Sequence, residues 1–392
     1  MNLLNIGRVD EALKRLFRSL FLLFILIVSW PFIEKQIQKS DYSPILQSIK
    51  SEIRGIVEHP DVTAALNTIY QKVNELTGNE DPSLISSPNN ENASETNEVK
   101  KPNLTTPTEH VFSIHNIVLG ETLSEVEKQI GASKRATFNE YGTEWYTYHD
   151  NYQNFLMVSY DKNNKVVGLY TNQDLIASSL GIKRGSPIND VHEKLGDPLN
   201  EIRKGLTYFQ LESKRDYDMY SLDNNYVTIF YDKHEGNTVT SIQIITKELE
   251  SHKKDFYSNG SQQLKEGFEY QLFDLTNAAR VNHHLNVLEW DDHVRETARK
   301  HSNDMAVNNY FSHTNLEGLS PFDRMSEDDI FYTFAGENLA TGQFSSIFAH
   351  EGLMNSLGHR ENILRPEYQY LGVGVAFNED SHPYYTENFF RR

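Results

Sequence analysis

At 392 residues the chain has room for two or three domains. Its net charge of −18 opposes binding to phosphate backbones, so nucleic acid is excluded as a partner. The absence of cysteine removes disulfides, thiolate metal sites and thiol nucleophiles, and a hydrophobic fraction of 38% implies that part of the length is linker. Residues 1–18 read as a cytoplasmic N-terminus, because Lys14, Arg15 and Arg18 stand just before an uncharged apolar run, Ser19–Ile33. This predicts a transmembrane anchor over 19–33, with the remainder exported. Fifteen residues of helix rise about 23 Å against a hydrocarbon core of about 30 Å. Extension back through Leu16 and Phe17, with Arg18 snorkelling, closes most of that gap. No small-x-small cleavage site follows at Trp30 to Glu34, which favours a retained anchor over a cleaved signal peptide.

Residues 34–110 read as stalk and linker. Ile45, Ile49, Ile53, Ile56 and Val57 have the spacing of an amphipathic helix within 41–77, a stalk or a self-association element. Gly78 to His110 is rich in Asn, Glu, Ser, Thr and Pro, the composition of a disordered spacer.

The segment 111–250 contains an internal duplication. Gly120-Glu-Thr-Leu-Ser-Glu-Val-Glu-Lys-Gln-Ile-Gly131 is matched by Gly185-Ser-Pro-Ile-Asn-Asp-Val-His-Glu-Lys-Leu-Gly196. In each copy a Ser or Asn stands where an N-cap belongs and a second glycine closes a short helix. Aromatic, alternating stretches follow, with Tyr160-Asp-Lys and Tyr231-Asp-Lys in matching places ahead of predicted strands at Val166–Tyr170 and Val239–Ile245. The region resembles the CAP-associated domain that precedes bacterial CAP domains, with Asn139-Glu-Tyr-Gly142 and Trp145 among the matching positions. Tyr141, Trp145, Tyr146 and Tyr148 form either a docking face or, as strand aromatics usually do, core.

In 262–392 a helical pattern at Phe268, Leu272, Leu275 and Ala279 leads to a second helix carrying Val294, Ala298, His301 and Met305 on one face. His301 is expected to be structural. Then come Tyr310-Phe-Ser-His-Thr-Asn315, Ser320-Pro-Phe-Asp-Arg324, Ala335-Gly-Glu-Asn-Leu-Ala340, Met354-Asn-Ser-Leu-Gly-His-Arg-Glu-Asn-Ile-Leu364, Tyr370-Leu-Gly-Val-Gly-Val375 and Tyr384-Tyr-Thr-Glu-Asn-Phe389. In this order they resemble the bacterial branch of the CAP superfamily, the cysteine-rich secretory protein type. The resemblance implies an α+β chain ending in an α-β-α sandwich with a central antiparallel sheet. A cysteine-free exported chain suits a bacterial envelope better than animal secretion.

The resemblance also implies a cleft with two histidines and two acidic residues. Its candidate catalytic or binding positions here are His313, Glu337 and His359. The fourth position has no clear counterpart: Glu351 is several residues early, the spot itself falls at Asn355 or Ser356, and the usual tryptophan of that helix is Leu353. Two imidazoles and a carboxylate can bind a divalent metal, zinc first, through His313 and His359, or form a metal-free acid–base cluster, or brace loops. His350-Glu351 lacks the second histidine of a zincin helix. Asn338 and Asn362 are expected as braces, Arg324 and Arg360 as partners of buried acids. Gly372 and Gly374 are expected where a strand packs closely on its neighbours. Three functions follow: a membrane-anchored module binding a peptide, glycan or lipid of the envelope; a metal-assisted hydrolase, with no G-x-S-x-G elbow to supply a nucleophile; and a surface scaffold.

Overall fold

The computed structural model describes residues 99–204, 207–212 and 215–392. The anchor at 19–33, the amphipathic stretch at 41–77 and the linker up to residue 98 lie outside the described residues. Among the described residues no helix is long and apolar enough to cross a membrane.

The first copy of the duplication opens with β1 (Phe112–Ile114) and α1 (Leu123–Ile130), then β2 (Arg135–Phe138), β3 (Glu144–Asp150), β4 (Gln153–Tyr160), β5 (Val166–Thr171) and β6 (Ile176–Ser178). The second has α2 (Ile188–Leu195), the hairpin β7 (Glu201–Lys204) and β8 (Thr207–Gln210), then β9 (Tyr217–Leu222), β10 (Asn225–Asp232), β11 (Thr238–Thr246) and α3 (Lys247–His252). The copies share one seven-stranded sheet in the order β2-β3-β4-β5-β11-β10-β9, joined where β5 pairs antiparallel with β11. Matching bulges fall at Ser159/Tyr160 and Phe230/Tyr231, so both Tyr-Asp-Lys segments mark the same bend. The caps differ from expectation. Thr122 caps α1 in a reciprocal box with Glu125, and α2 starts after Pro187 without a side-chain cap, two residues ahead of the Ser and Asn expected there. Gly131 and Gly196 do end the helices, at φ of 84° and 77°, where only glycine sits without strain.

The remaining elements are α4 (Gln262–Asn282), β12 (Glu289–Trp290), α5 (Asp292–Asn308), α6 (Pro321–Glu327), β13 (Phe334–Thr341), α7 (Ser346–Met354), α8 (Leu357–Ile363), β14 (Tyr370–Phe377) and β15 (Pro383–Arg391). Their sheet runs β12-β14-β15-β13, antiparallel except for the short parallel β12, with β13 at one edge. On one face Ser302 of α5 donates to the Gly374 carbonyl. On the other, Thr276 of α4 donates to Glu387 of β15 at 2.9 Å. This is the α-β-α sandwich. Gly372 and Gly374 allow the close packing expected of them, against α5: a Cβ would come within 2.4 Å of Arg295 N and 2.2 Å of Arg299 N.

The two domains bury a shared core. Tyr141, Trp145, Phe155, Met157, Tyr170, Phe230, Ile245 and Leu249 pack with Leu275, Ala278, Ile347 and Phe348. Trp145 and Tyr148 are fully inside, Tyr141 is buried, and Tyr146 is half-buried against the first-domain core. These aromatics are therefore core, and Tyr141 and Trp145 face the second domain rather than an outside ligand. Polar contacts complete the interface: Gln271 Nε2 donates to the Phe138 carbonyl at 3.0 Å, Tyr152 to Asp274 at 2.9 Å, and Asn282 to the Asn172 carbonyl at 2.8 Å.

Candidate functional site

Glu337 sits on edge strand β13 with its carboxylate 1% exposed. A bare carboxylate in such a place is costly, and two partners neutralise it. Arg324 Nη2 of α6 donates to Oε2 at 2.6 Å, and His313 Nδ1 meets Oε1 at 2.9 Å. Arg324 also donates to the carbonyls of His313 and Leu319, so one guanidinium fixes both the acid and the loop carrying the histidine. That helix starts at Ser320, whose hydroxyl and Asp323 form a capping box around Pro321. His301, buried in α5, lies 3.0 Å through Nε2 from the Ser312 carbonyl, and burial depresses its pKa. It braces the His313 loop and is structural, as expected.

His359 reaches the same place from the other layer. Asn338, beside Glu337 on β13, donates to the His359 carbonyl at 3.1 Å and to Glu387 at 3.1 Å. Asn362 donates to the Glu337 carbonyl and to Asn338 Oδ1, holding α8 against the edge of the sheet. His359 Nδ1 lies 2.8 Å from the Ser356 hydroxyl. Its pKa is lowered by burial and then by the charge on His313, so the two rings lie within electrostatic reach. Both histidines are thus tied to adjacent residues of β13, His313 through its ring to Glu337 and His359 through its carbonyl to Asn338.

Glu351 is not in it. Its Oε1 accepts from Tyr170 and from Ser241 of the duplicated domain, each at 2.6 Å. Asn355 is turned the same way, accepting from the Lys233 N–H at 2.9 Å and donating to the Tyr231 carbonyl at 2.8 Å. Arg360 pairs with Asp232 at 2.8 Å. His350 is buried and neutral, its pKa pushed down to about 3 by desolvation.

Burial pushes the Glu351 carboxyl up from 4.5 to about 7, against the opposing Ser241 and Tyr170 hydroxyls. The folded chain therefore holds this proton more tightly than the unfolded one. The resulting stabilisation is full below 4.5 and is lost as the pH rises through about 7. Glu351→Gln removes the titration. The variant is expected to gain on the native chain by up to about 3 kcal/mol in urea-unfolding free energy between pH 5 and about 8. Parallel pH curves for the two proteins would contradict this.

Sequence reasoning assigned no role to Glu387, and considered Asn355 and Ser356 only as the place of the family's fourth acidic position. Glu387 is buried between Thr276 and Asn338, and desolvation pushes its pKa up to about 7. Its signal was present in three consecutive polar residues, Thr386-Glu387-Asn388, within a strand covered on both faces. The Nε2 atoms of His313 and His359 have no hydrogen-bond partner among the described residues. Glu337 has both oxygens engaged. The donor set open to a metal is thus two imidazoles, short of the three protein ligands of a catalytic zinc. Among the described residues no group of three or more His, Asp or Glu is placed to hold a metal ion.

The fold is a CAP-type sandwich preceded by a duplicated domain. Family models agree: CAP-associated N-terminal matches residues 119–256 and the cysteine-rich secretory protein family matches 273–389. The membrane protein YlbC of Bacillus subtilis is 31% identical over 293 residues, 70% of this chain and 82% of that protein. The chain belongs to the CAP family of cysteine-rich secretory proteins. A solved extracellular protein with an SCP domain from Bacillus anthracis is similar at 25% identity and a TM-score of 0.62, over 75% of this chain and 100% of that one. A cysteine-rich secretory protein from Staphylococcus aureus shares the fold at 18% identity and a TM-score of 0.56, over 70% of this chain and 94% of its own.

Proposed function

We propose that this chain is a membrane-anchored, extracytoplasmic binding protein whose cleft at His313, Glu337 and His359 takes a ligand of the bacterial envelope. The observation that carries the reading is the half-exposed His313 ring, held at 2.9 Å over a buried carboxylate, with His359 within its electrostatic reach. Such an arrangement presents two free Nε2 atoms as donors or acceptors, according to tautomer, at a fixed position. Phe311 and Leu357, each two residues ahead of a cleft histidine, are 51% and 59% exposed. Large apolar side chains left in water beside polar ones suit a ligand with both characters, which favours peptide or lipid over bare glycan. Ser19–Ile33 as the anchor, with the domains outside, accords with a relative named as a membrane protein and a similar structure titled as extracellular. The test is whether residues 99–392, freed of the anchor, sediment with purified cell envelopes and whether replacing both His313 and His359 by alanine abolishes it.

A further inference from the structure

The cleft's second histidine stands between two anchors of the duplicated domain. Ahead of it, Asn355 has its side-chain Oδ1 and Nδ2 on Lys233 and Tyr231, and its carbonyl 3.2 Å from His234 Nε2. Behind it, Arg360 makes an ion pair with Asp232 and reaches Glu235 at 3.5 Å. Asp232 and Arg360 are both buried, so their pairing is little screened by solvent. Every one of these partners lies on a single stretch, Tyr231–Glu235, where β10 ends in a turn of 3₁₀ helix capped by Asp232.

What lies between the anchors is the first turn of α8. Asn355 adjoins Ser356, whose hydroxyl meets His359 Nδ1, and His359 adjoins Arg360. A seven-residue helix has little stability of its own, since isolated helices shorter than about 12–15 residues are marginal in water. Its placement must come from contacts. Asn338 and Asn362 supply them on the sheet side, and the Tyr231–Glu235 turn supplies them at the end where the histidine sits.

We propose that the Tyr231–Glu235 turn is the positioner of His359, so that the cleft is complete only while the duplicated domain is docked. The proposal rests on reading His359 as a cleft residue. Asn355, Arg360 and Asp232 are then positioning residues. Asn355, one of the two residues at the place of the family's fourth acidic position, can both donate to and accept from a backbone turn, which a carboxylate cannot.

Histidine-selective isotopic labelling of the full chain tests this. At about pH 8, where ordinary imidazoles are neutral, ring nitrogen shifts report which tautomer each histidine holds. The native protein is expected to show the Nδ1–H tautomer for His313, set by Glu337, and for His359 a ring nitrogen pattern displaced from that of a free imidazole by its hydrogen bond with Ser356 and its fixed position. Ser356→Ala, which leaves the docking contacts in place, identifies the His359 signal by its loss of that pattern. Arg360→Ala and Asn355→Ala are each expected to return His359 to the pattern of a free imidazole while His313 keeps its tautomer. Arg360→Lys, which retains the charge opposite Asp232, is expected to restore the native pattern. If His359 keeps its native pattern in both alanine variants, or loses it only when His313 loses its own, the proposal is overturned. No ligand enters the readout, so positioning and envelope binding fail or stand separately.

Discussion

Arg324→Ala is expected to destabilise the chain by about 3–5 kcal/mol, the range for removing one partner of a buried ion pair. The Glu337 carboxylate is 1% exposed and the Arg324 side chain 8%. Without the guanidinium, the carboxylate keeps only His313, and the carbonyls of His313 and Leu319 lose their shared donor. Urea unfolding of the variant measures the cost. The double variant Arg324→Met with Glu337→Leu removes the charge along with its partner and is expected to recover part of the loss, because two apolar side chains carry no desolvation penalty. An alanine variant as stable as the native chain would show that the pair does not hold the cleft together.

Gly267→Ala is expected to separate the domains. A Cβ at this position would lie 2.0 Å from the Phe138 carbonyl oxygen, with the Phe138 carbonyl carbon at 3.0 Å. These are backbone atoms of β2, so no rotamer change relieves the clash, and either α4 or β2 must move. Overpacking costs typically about 1–3 kcal/mol and occasionally more, and this contact belongs at the upper end. The same movement breaks the Gln271 bonds to Thr137 and Phe138 alongside it. The expected result is a lower melting temperature and faster proteolysis in the connecting segment 253–261. Gly352→Ala on α7 is the control: a Cβ there meets nothing within 4 Å, and the change should be neutral or slightly stabilising, as alanine for glycine in a helix usually is. Equal behaviour of the two variants would mean that the close approach at Gly267 carries no weight.

The repeat was legible because its signals are local. Glycine-bounded helices and Tyr-Asp-Lys bends recur in both copies, and the structure places both copies in one sheet. The polar braces were legible as well: Arg324, Arg360, Asn338 and Asn362 hold an acid, a loop or a helix as their residue types suggest. What the sequence concealed was the interface. The spacing of Phe268, Leu272, Leu275 and Ala279 marks one apolar face of α4, yet Gln271 and Asp274, off that face, are buried too. Polar residues on the outer face of a helix look solvated until a second domain supplies their partners. Here Asp274 meets Tyr152 and Gln271 meets Thr137, across more than a hundred residues of chain. Glu351 and Asn355 were obscure for the same reason. Weighed as parts of a cleft they fit poorly, whereas beside Tyr170, Ser241 and Tyr231 both are satisfied.

The central claim is that His313 and His359 form the binding site, and co-sedimentation of purified residues 99–392, which lack the Ser19–Ile33 anchor, with isolated cell envelopes tests it most directly. Three proteins are compared at equal concentration: the native chain, the His313→Ala/His359→Ala double variant, and Phe331→Ser. Phe331 is 82% exposed on the α6–β13 loop and lines a separate surface recess with Ile330, Tyr332 and Phe390. The account predicts that the native chain and Phe331→Ser sediment alike while the double variant, still folded, stays in solution. A double variant that sediments as well as the native chain would contradict the claim and move the binding surface elsewhere on the protein.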